Sequence, residues 1–258
     1  AFDVEKREVR DSFSCPSCNS TLEKRALDRT FESEYDPIRG GLRQHIKYQL
    51  YLVARSERHR SKIGPASETD KRLAEECQGL PLPTNIPVFR LPLDKMYHGS
   101  RLGPKGVEYI HDLFLRRQLI TVADLWGRTS AILDNRLRSA LRFLVDQSIA
   151  SSTILARYPQ LSPLGGVYYI PSMVAETRPL HMVENKLGAL TSFFSSAISK
   201  DGQVVISTNS ATDIPGLADN SIDYIFTDPP FGENIFYADL NLMIDRKSTR
   251  LNSSHRIR

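Results

Sequence analysis

Residues Thr227 to Phe231 read Thr-Asp-Pro-Pro-Phe and follow an apolar run, Ile222-Asp223-Tyr224-Ile225-Phe226. That composition predicts a buried strand over 222–227, with the acid at its carboxyl end. In open α/β sheets that end is where ligands sit. The residue types suit work on an amino group attached to an aromatic ring. Such a nitrogen shares its lone pair with the ring and attacks poorly. Two acceptors on its two hydrogens would pull it toward tetrahedral geometry and free the pair. Asp228 offers a carboxylate and Pro229 a backbone carbonyl. Proline holds φ near about −65° and has no N–H, so Pro229 and Pro230 fix the direction of that carbonyl. Phe231 offers a flat apolar face. Extruding a base from a duplex costs a few kcal/mol, and aromatic stacking returns about 1–3 kcal/mol per base. By chance an Asp-Pro-Pro-aromatic string arises at about one position in a hundred thousand. The plain alternative is that Asp-Pro-Pro stops a strand and turns the chain.

The string resembles the Asp/Asn/Ser-Pro-Pro-aromatic motif of the amino-methylating (N6-adenine/N4-cytosine) DNA methyltransferases. The resemblance runs upstream through Ser210-Ala211-Thr212-Asp213 and Asp219-Asn220-Ser221-Ile222-Asp223, and downstream from Gly232 to Asn241. Within that group the chain is most similar to large methylases with zinc-ribbon segments ahead of the catalytic domain. Weaker echoes are Cys15-Pro16-Ser17-Cys18, Tyr35-Asp36-Pro37 and Leu113-Phe114-Leu115-Arg116-Arg117-Gln118-Leu119. The resemblance implies an α/β fold: an incomplete Rossmann-like methyltransferase core preceded by a helical region and a zinc-ribbon remnant. It implies S-adenosylmethionine as methyl donor, DNA as partner, and a restriction or defence partner beside it. Asp228, Pro229, Pro230 and Phe231 would be catalytic, and Asp213 and Asp228 would lie near the cofactor. The same motif chemistry serves RNA base methyltransferases, and a nucleic-acid-binding module could keep the string without activity. One departure stands out: the family's Phe-x-Gly-x-Gly cofactor loop does not occur, and Leu164-Gly165-Gly166 has the wrong spacing. Some members place the catalytic motif first; in that order the loop would lie beyond residue 258.

Cys15 and Cys18 have the spacing of a zinc knuckle, two of the four ligands of a closed site. An unmetallated turn and a redox pair are the other readings. His45 and His59 are poorly spaced to complete a site, and Cys77 is far away. The family resemblance favours zinc in the intact protein, with Cys15 and Cys18 as half of its site.

The fourteen residues from Asp245 to Arg258 abandon the pattern. They resemble a translated sequencing adapter, and such scars are set aside from fold reasoning; a basic nucleic-acid-binding tail is the alternative. With five basic residues and one acid, this tail carries the whole net charge of +4. The overall basicity therefore argues nothing about nucleic acid. With Ala1 first and half a metal site near it, the chain is expected to be an internal fragment. Hydrophobic residues at 40% and charged at 25% are ordinary for a globular protein. No apolar run reaches the about 18 residues of a membrane span, and three cysteines make no disulfide framework. A cytoplasmic setting without a membrane partner is expected.

These motifs need elements to position them. Residues 1–85 read as short strands with turns, the zinc-ribbon remnant, then a polar helix beginning near Ser67. They end in a linker, Gly79 to Pro87, with three prolines. Arg55 to Lys62 reads as a solvated basic loop. Residues 86–200 read as a helical region. Apolar spacing supports helix from Gly106 to Trp126, with Thr121 as a cap, and again over 132–149, where Leu133, Leu137, Leu141, Leu144 and Val145 repeat. Arg116, Arg117, Arg136, Arg138 and Arg142 would be solvated or touch phosphates, and Trp126 is expected in the core. A short strand is predicted at Val167 to Ile170 and a helix at 184–198. The methyltransferase core would begin at 201 and run to 244, with a strand at 204–207.

Overall fold

The computed structural model describes residues 2–3, 8–57, 60–164, 167–197, 214, 216–218, 220–228, 239 and 242. Its fold is mixed α/β with small sheets. Among these residues every strand pairing is antiparallel, in two-stranded sheets. Strands β1 (Phe2–Asp3) and β2 (Glu8–Val9) pair, as do β3 (Ser12–Ser14) and β4 (Thr21–Glu23). Strand β5 (Phe31–Asp36) pairs with β6 (Gly41–Ile46), and β7 (Leu52–Glu57) with β8 (Arg60–Pro65). Within the basic run, 55–57 and 60–62 are thus paired strand residues and not a loop, with Arg55 facing Lys62 across the ladder. Its residue types alone did not reveal the pairing, because charged side chains suit an exposed strand as well as a loop.

Helix α1 (Glu68–Glu76) starts where expected. Ser67 caps it, accepting from the Asp70 N–H at 3.2 Å while the Asp70 carboxylate accepts from the Ser67 N–H at 2.7 Å. That reciprocal pair satisfies two orphan donors of the first turn. The proline-rich stretch after it is irregular, as prolines without ladder donors require, but it packs closely. Ile86 and Leu91 enter the core, the Asn85 amide donates to the Ala123 carbonyl at 2.8 Å, and the Arg116 guanidinium donates to the Leu80 carbonyl at 2.8 Å.

Helix α2 (Gly99–Leu102) runs into a 3₁₀ turn at Gly103–Lys105, and a second 3₁₀ turn spans Ile110–Leu113. Helix α3 (Arg116–Ser130) is continuous through Thr121, whose hydroxyl donates back to the Arg117 carbonyl at 2.8 Å. Thr121 is therefore an interior residue and not a cap; the hydroxyl finds a partner one turn back. Leu119, Val122 and Ala123 put one apolar face into the core. Helix α4 (Asn135–Ile149) is capped by Asp134, which accepts from the Leu137 N–H at 2.7 Å. Only its second half is buried, through Leu144, Val145, Ser148 and Ile149, while Leu133 is 94% and Leu137 51% exposed. Helix α5 (Pro179–Ala197) begins five residues before the expected start, since proline suits a first turn where its missing N–H is not needed. Val167 to Ile170 is not a strand: Tyr168 and Ile170 are buried, but no described strand pairs with them. Trp126 is half-buried, with the Arg142 guanidinium 5.3 Å from its ring centroid.

One core gathers Ile46 from β6, Ile86 and Leu91, the turns through Leu102, Val107 and Leu113, α3, the end of α4, and Tyr168 and Ile170; Leu242 packs against it. No described helix is long and apolar enough to cross a membrane.

Gly106 joins the hairpin to the helical region. It has φ +77°, and a Cβ there would lie 2.2 Å from the Gln44 carbonyl oxygen. Gly106→Ala is expected to lower stability by about 3 kcal/mol, from strain plus a backbone clash. Gly188→Ala on α5, where nothing lies within 4 Å, should raise it by up to about 1 kcal/mol. Urea denaturation of both variants checks the pair.

Candidate functional site

Asp228 is exposed at the end of an exposed, irregular stretch, 220–228. The expected strand at 222–227 is not formed: Ile222 is 51%, Tyr224 79%, Ile225 75% and Phe226 80% exposed. The residues have strand composition, but a strand exists through its ladder, and no described strand lies beside this one. Pro229, Pro230, Phe231 and Asp213 lie outside the described residues, as do the strand predicted at 204–207 and the tail from Asp245. Downstream of the motif, Asp239 is anchored to the helical region. Its carboxylate accepts from the Tyr97 N–H at 2.9 Å and its carbonyl from the Tyr168 hydroxyl at 2.8 Å.

Cys15 and Cys18 sit on the turn between β3 and β4. The Cys15 N–H donates to the Ser20 carbonyl at 2.8 Å, the Asn19 N–H to the Cys15 carbonyl at 2.9 Å, and Asn19 takes φ 59°. Cys18 Sγ lies 3.0 Å from Ser20 Oγ; hydrogen bonds from the Ser20 side chain and backbone, then Cys15, hold the Cys18 thiol below its ordinary range. Two such thiols fit half of a tetrahedral zinc site. No third Cys, His, Asp or Glu joins them among the described residues. His45 instead faces Glu34 at 3.5 Å, and His59 is outside the described residues.

The structure also forms a cluster that the sequence did not lead us to expect. Asp36, the last residue of β5, builds its own turn: Oδ1 accepts from the Ile38 N–H at 2.9 Å, and its carbonyl from the Gly40 N–H at 2.9 Å. Asp36 Oδ2 accepts from Arg39 Nε at 2.9 Å and from His111 Nε2 at 2.8 Å, a residue 75 positions away. Asp112 is equally occupied. Its Oδ1 accepts from Arg43 Nη1 at 2.7 Å; its Oδ2 accepts from Arg39 Nη2 and the Tyr109 N–H at 2.8 Å and from the Glu108 N–H at 2.9 Å. Arg43 also pairs with Glu34. Burial pushes the Asp36 carboxyl up, but hydrogen bonds from His111, the Ile38 N–H and Arg39 outweigh it and hold the group below the usual carboxylate range. Burial likewise opposes the Arg43 charge, and Glu34 and Asp112 more than restore it.

Ligand atoms of Asp36, His111 and Asp112 lie within 4.8 Å of one another. Two guanidiniums already supply the positive charge there, and N–H donors fill every carboxylate oxygen. The cluster is therefore a structural ion network and not a metal centre. His111 lines a cavity of about 20 Å³ with Pro37, Phe114 and Arg116, room for about one water. Neither family models, nor curated proteins, nor solved structures match this chain.

Some of the signal for this cluster was present. Tyr35-Asp36-Pro37 and Leu113 to Leu119, far apart in the sequence, meet here. His111-Asp112 is a polar pair inside an otherwise apolar run, so it had to find buried partners. The α3 and α4 arginines that could have faced phosphate are largely engaged elsewhere: Arg117 pairs with Glu176, Arg138 donates to the Ile132 carbonyl and Arg142 to Ser130 Oγ, leaving Arg136 exposed.

Asp36→Asn should cost about 3–5 kcal/mol, the usual result of removing one partner from a buried ionic network. Because the folded carboxyl titrates below its unfolded value near about 3.9, its contribution is complete above that pH. It disappears as pH falls through the lower folded value. The variant's unfolding midpoint should therefore depend less on pH below about 4, as thermal melts across that range would show. For the knuckle, zinc binding should be weak or undetectable by titration with a chromophoric chelator, and Cys18→Ser should abolish whatever is found.

Proposed function

We propose that this chain belongs to an S-adenosylmethionine-dependent DNA methyltransferase acting on the exocyclic amino group of adenine (N6) or cytosine (N4). The observation that carries the reading is the Asp228-Pro229-Pro230-Phe231 string, with an Asp228 carboxylate open to a substrate. In this reading Asp228 and the Pro229 carbonyl accept the two amino hydrogens of an extruded base, Pro230 holds the corner, and Phe231 stacks on the ring. The methyl donor, when bound, supplies an electrophilic carbon, and Asp228 can take the proton that the amino group loses. Asp213 and Asp228 would lie beside the donor. The reading requires the Phe-x-Gly-x-Gly loop to come from chain outside residues 1–258.

The exposed run at 222–226 supports the finer fold reading. Adjacent large apolar residues in solvent signal a missing contact, and a central parallel strand, buried on both faces, has this composition. A Rossmann-like core completed by further chain would cover it. A restriction or defence partner and zinc at Cys15 and Cys18 in the intact protein belong to the same proposal.

The test uses the gene product that includes the cofactor loop, with tritiated methyl donor and matched duplex DNA and RNA. Transfer to DNA is expected, and Asp228→Ala should lower kcat by about a thousandfold or more. Unchanged kcat in that variant would remove the catalytic assignment, and transfer to RNA alone would replace DNA as substrate.

A further inference from the structure

The segment Tyr168-Tyr169-Ile170 collects three contacts within three residues. Tyr168 holds Asp239, which follows the Asp-Pro-Pro-Phe string by a short stretch, through its hydroxyl at 2.8 Å. Tyr169, 43% exposed, has the Lys105 ammonium 5.9 Å from its ring centroid. The Ile170 carbonyl accepts from Arg29 Nη2 at 3.2 Å. Arg101 lies four residues before Lys105 across the α2-to-3₁₀ junction and is exposed. Burial first, then the charges of Arg29 and Arg101, holds the Lys105 ammonium below its ordinary range. No acidic side chain among the described residues forms an ion pair with Arg29, Arg101 or Lys105.

By contrast, Arg39 and Arg43 have the carboxylates of Asp36, Asp112 and Glu34, and Arg117 has that of Glu176. Arg29 and Arg101 both repel the Lys105 ammonium, and an anion bound among them would offset that repulsion. Tyr169, 43% exposed, sets a flat ring beside Lys105. The site lies beside Asp239, since Tyr168, whose hydroxyl donates to the Asp239 carbonyl, adjoins Tyr169.

We infer that Arg29, Arg101 and Lys105, with Tyr169 beside them, form a phosphate-binding patch that holds the DNA backbone beside the chain anchored at Asp239. The anion chemistry comes from the geometry; the choice of DNA as its source rests on the methyltransferase reading. Phosphate contacts of this kind set position and orientation without reading sequence. Arg29 also supports the Ile170 carbonyl, so Arg101 and Lys105 are the residues to change.

The experiment measures binding of a fluorescein-labelled duplex DNA to the 258-residue chain by anisotropy, over a range of salt concentrations and without methyl donor. The basic tail is common to all variants and cancels in the comparison. R101Q/K105Q should bind about tenfold or more weakly at about 0.1 M salt, and the slope of log K against log salt should fall in magnitude by about 1.8, about 0.9 per lost contact. R101K/K105R, which keeps both charges, should bind as the parent does. An unchanged slope in R101Q/K105Q would overturn the assignment. So would equal loss in R101K/K105R, which would mean packing and not charge. Tighter, equally Arg101- and Lys105-dependent binding of single-stranded RNA would overturn the choice of DNA. Because no methyl donor enters, this result stands or falls separately from the Asp228→Ala assay.

Discussion

A buried carboxylate must be paired, and in this chain Asp112 gains its guanidinium partners, and Asp36 its imidazole, because two distant segments come together. Asp36 belongs to the β5–β6 hairpin and Asp112 to the 3₁₀ turn before α3; Arg39 reaches both, Arg43 reaches Asp112, and His111 closes back onto Asp36. A two-stranded hairpin is marginal alone in water. Here its stability comes from docking, through Ile46 in the core, Gly106 fitted against the Gln44 carbonyl, and the ionic network at the turn. Such a network costs desolvation, so its value lies less in net stability than in fixing one register and one orientation.

That orientation sets where the rest of the chain is held. The 3₁₀ turn at 110–113 leads directly into α3, and the Ile154 N–H donates to the Leu113 carbonyl at 2.8 Å, tying in the chain after α4. Through the shared core the same frame carries Tyr168 and Ile170, which hold Asp239 and Arg29. The hairpin region, the helical region and Asp239 therefore share one scaffold.

The sequence announced some of this well. Ser67 marked the start of α1, and leucine and valine spacing marked the second half of α4, because caps and amphipathic faces are local signals. The helix expected from Gly106 begins only at Arg116, since Val107, Ile110, Leu113 and Phe114 are buried from a turn and its flanks and not from one helix face. The start of the 132–149 pattern misled: Leu133 lies ahead of α4 and is 94% exposed, and Leu137 in its first turn is 51% exposed. Hairpin β7–β8 was hidden by its charges, and the strands at 167–170 and 222–227 were over-read, since pairing depends on a second segment that composition does not name. The Asp36–His111 contact was legible in part: the polar His111-Asp112 pair in an apolar run had to find buried partners, but only the fold makes Asp36 one of them.

Native-state hydrogen exchange tests most directly whether this ionic network binds the hairpin and the helical region into a single cooperative unit. Amides of β5–β6 and of residues 116–123 are expected to open with the same free energy, and Asp36→Asn to lower both together. If β5–β6 exchanged at a much lower free energy while α3 kept its protection, the network would be a local decoration and the hairpin no member of the scaffold.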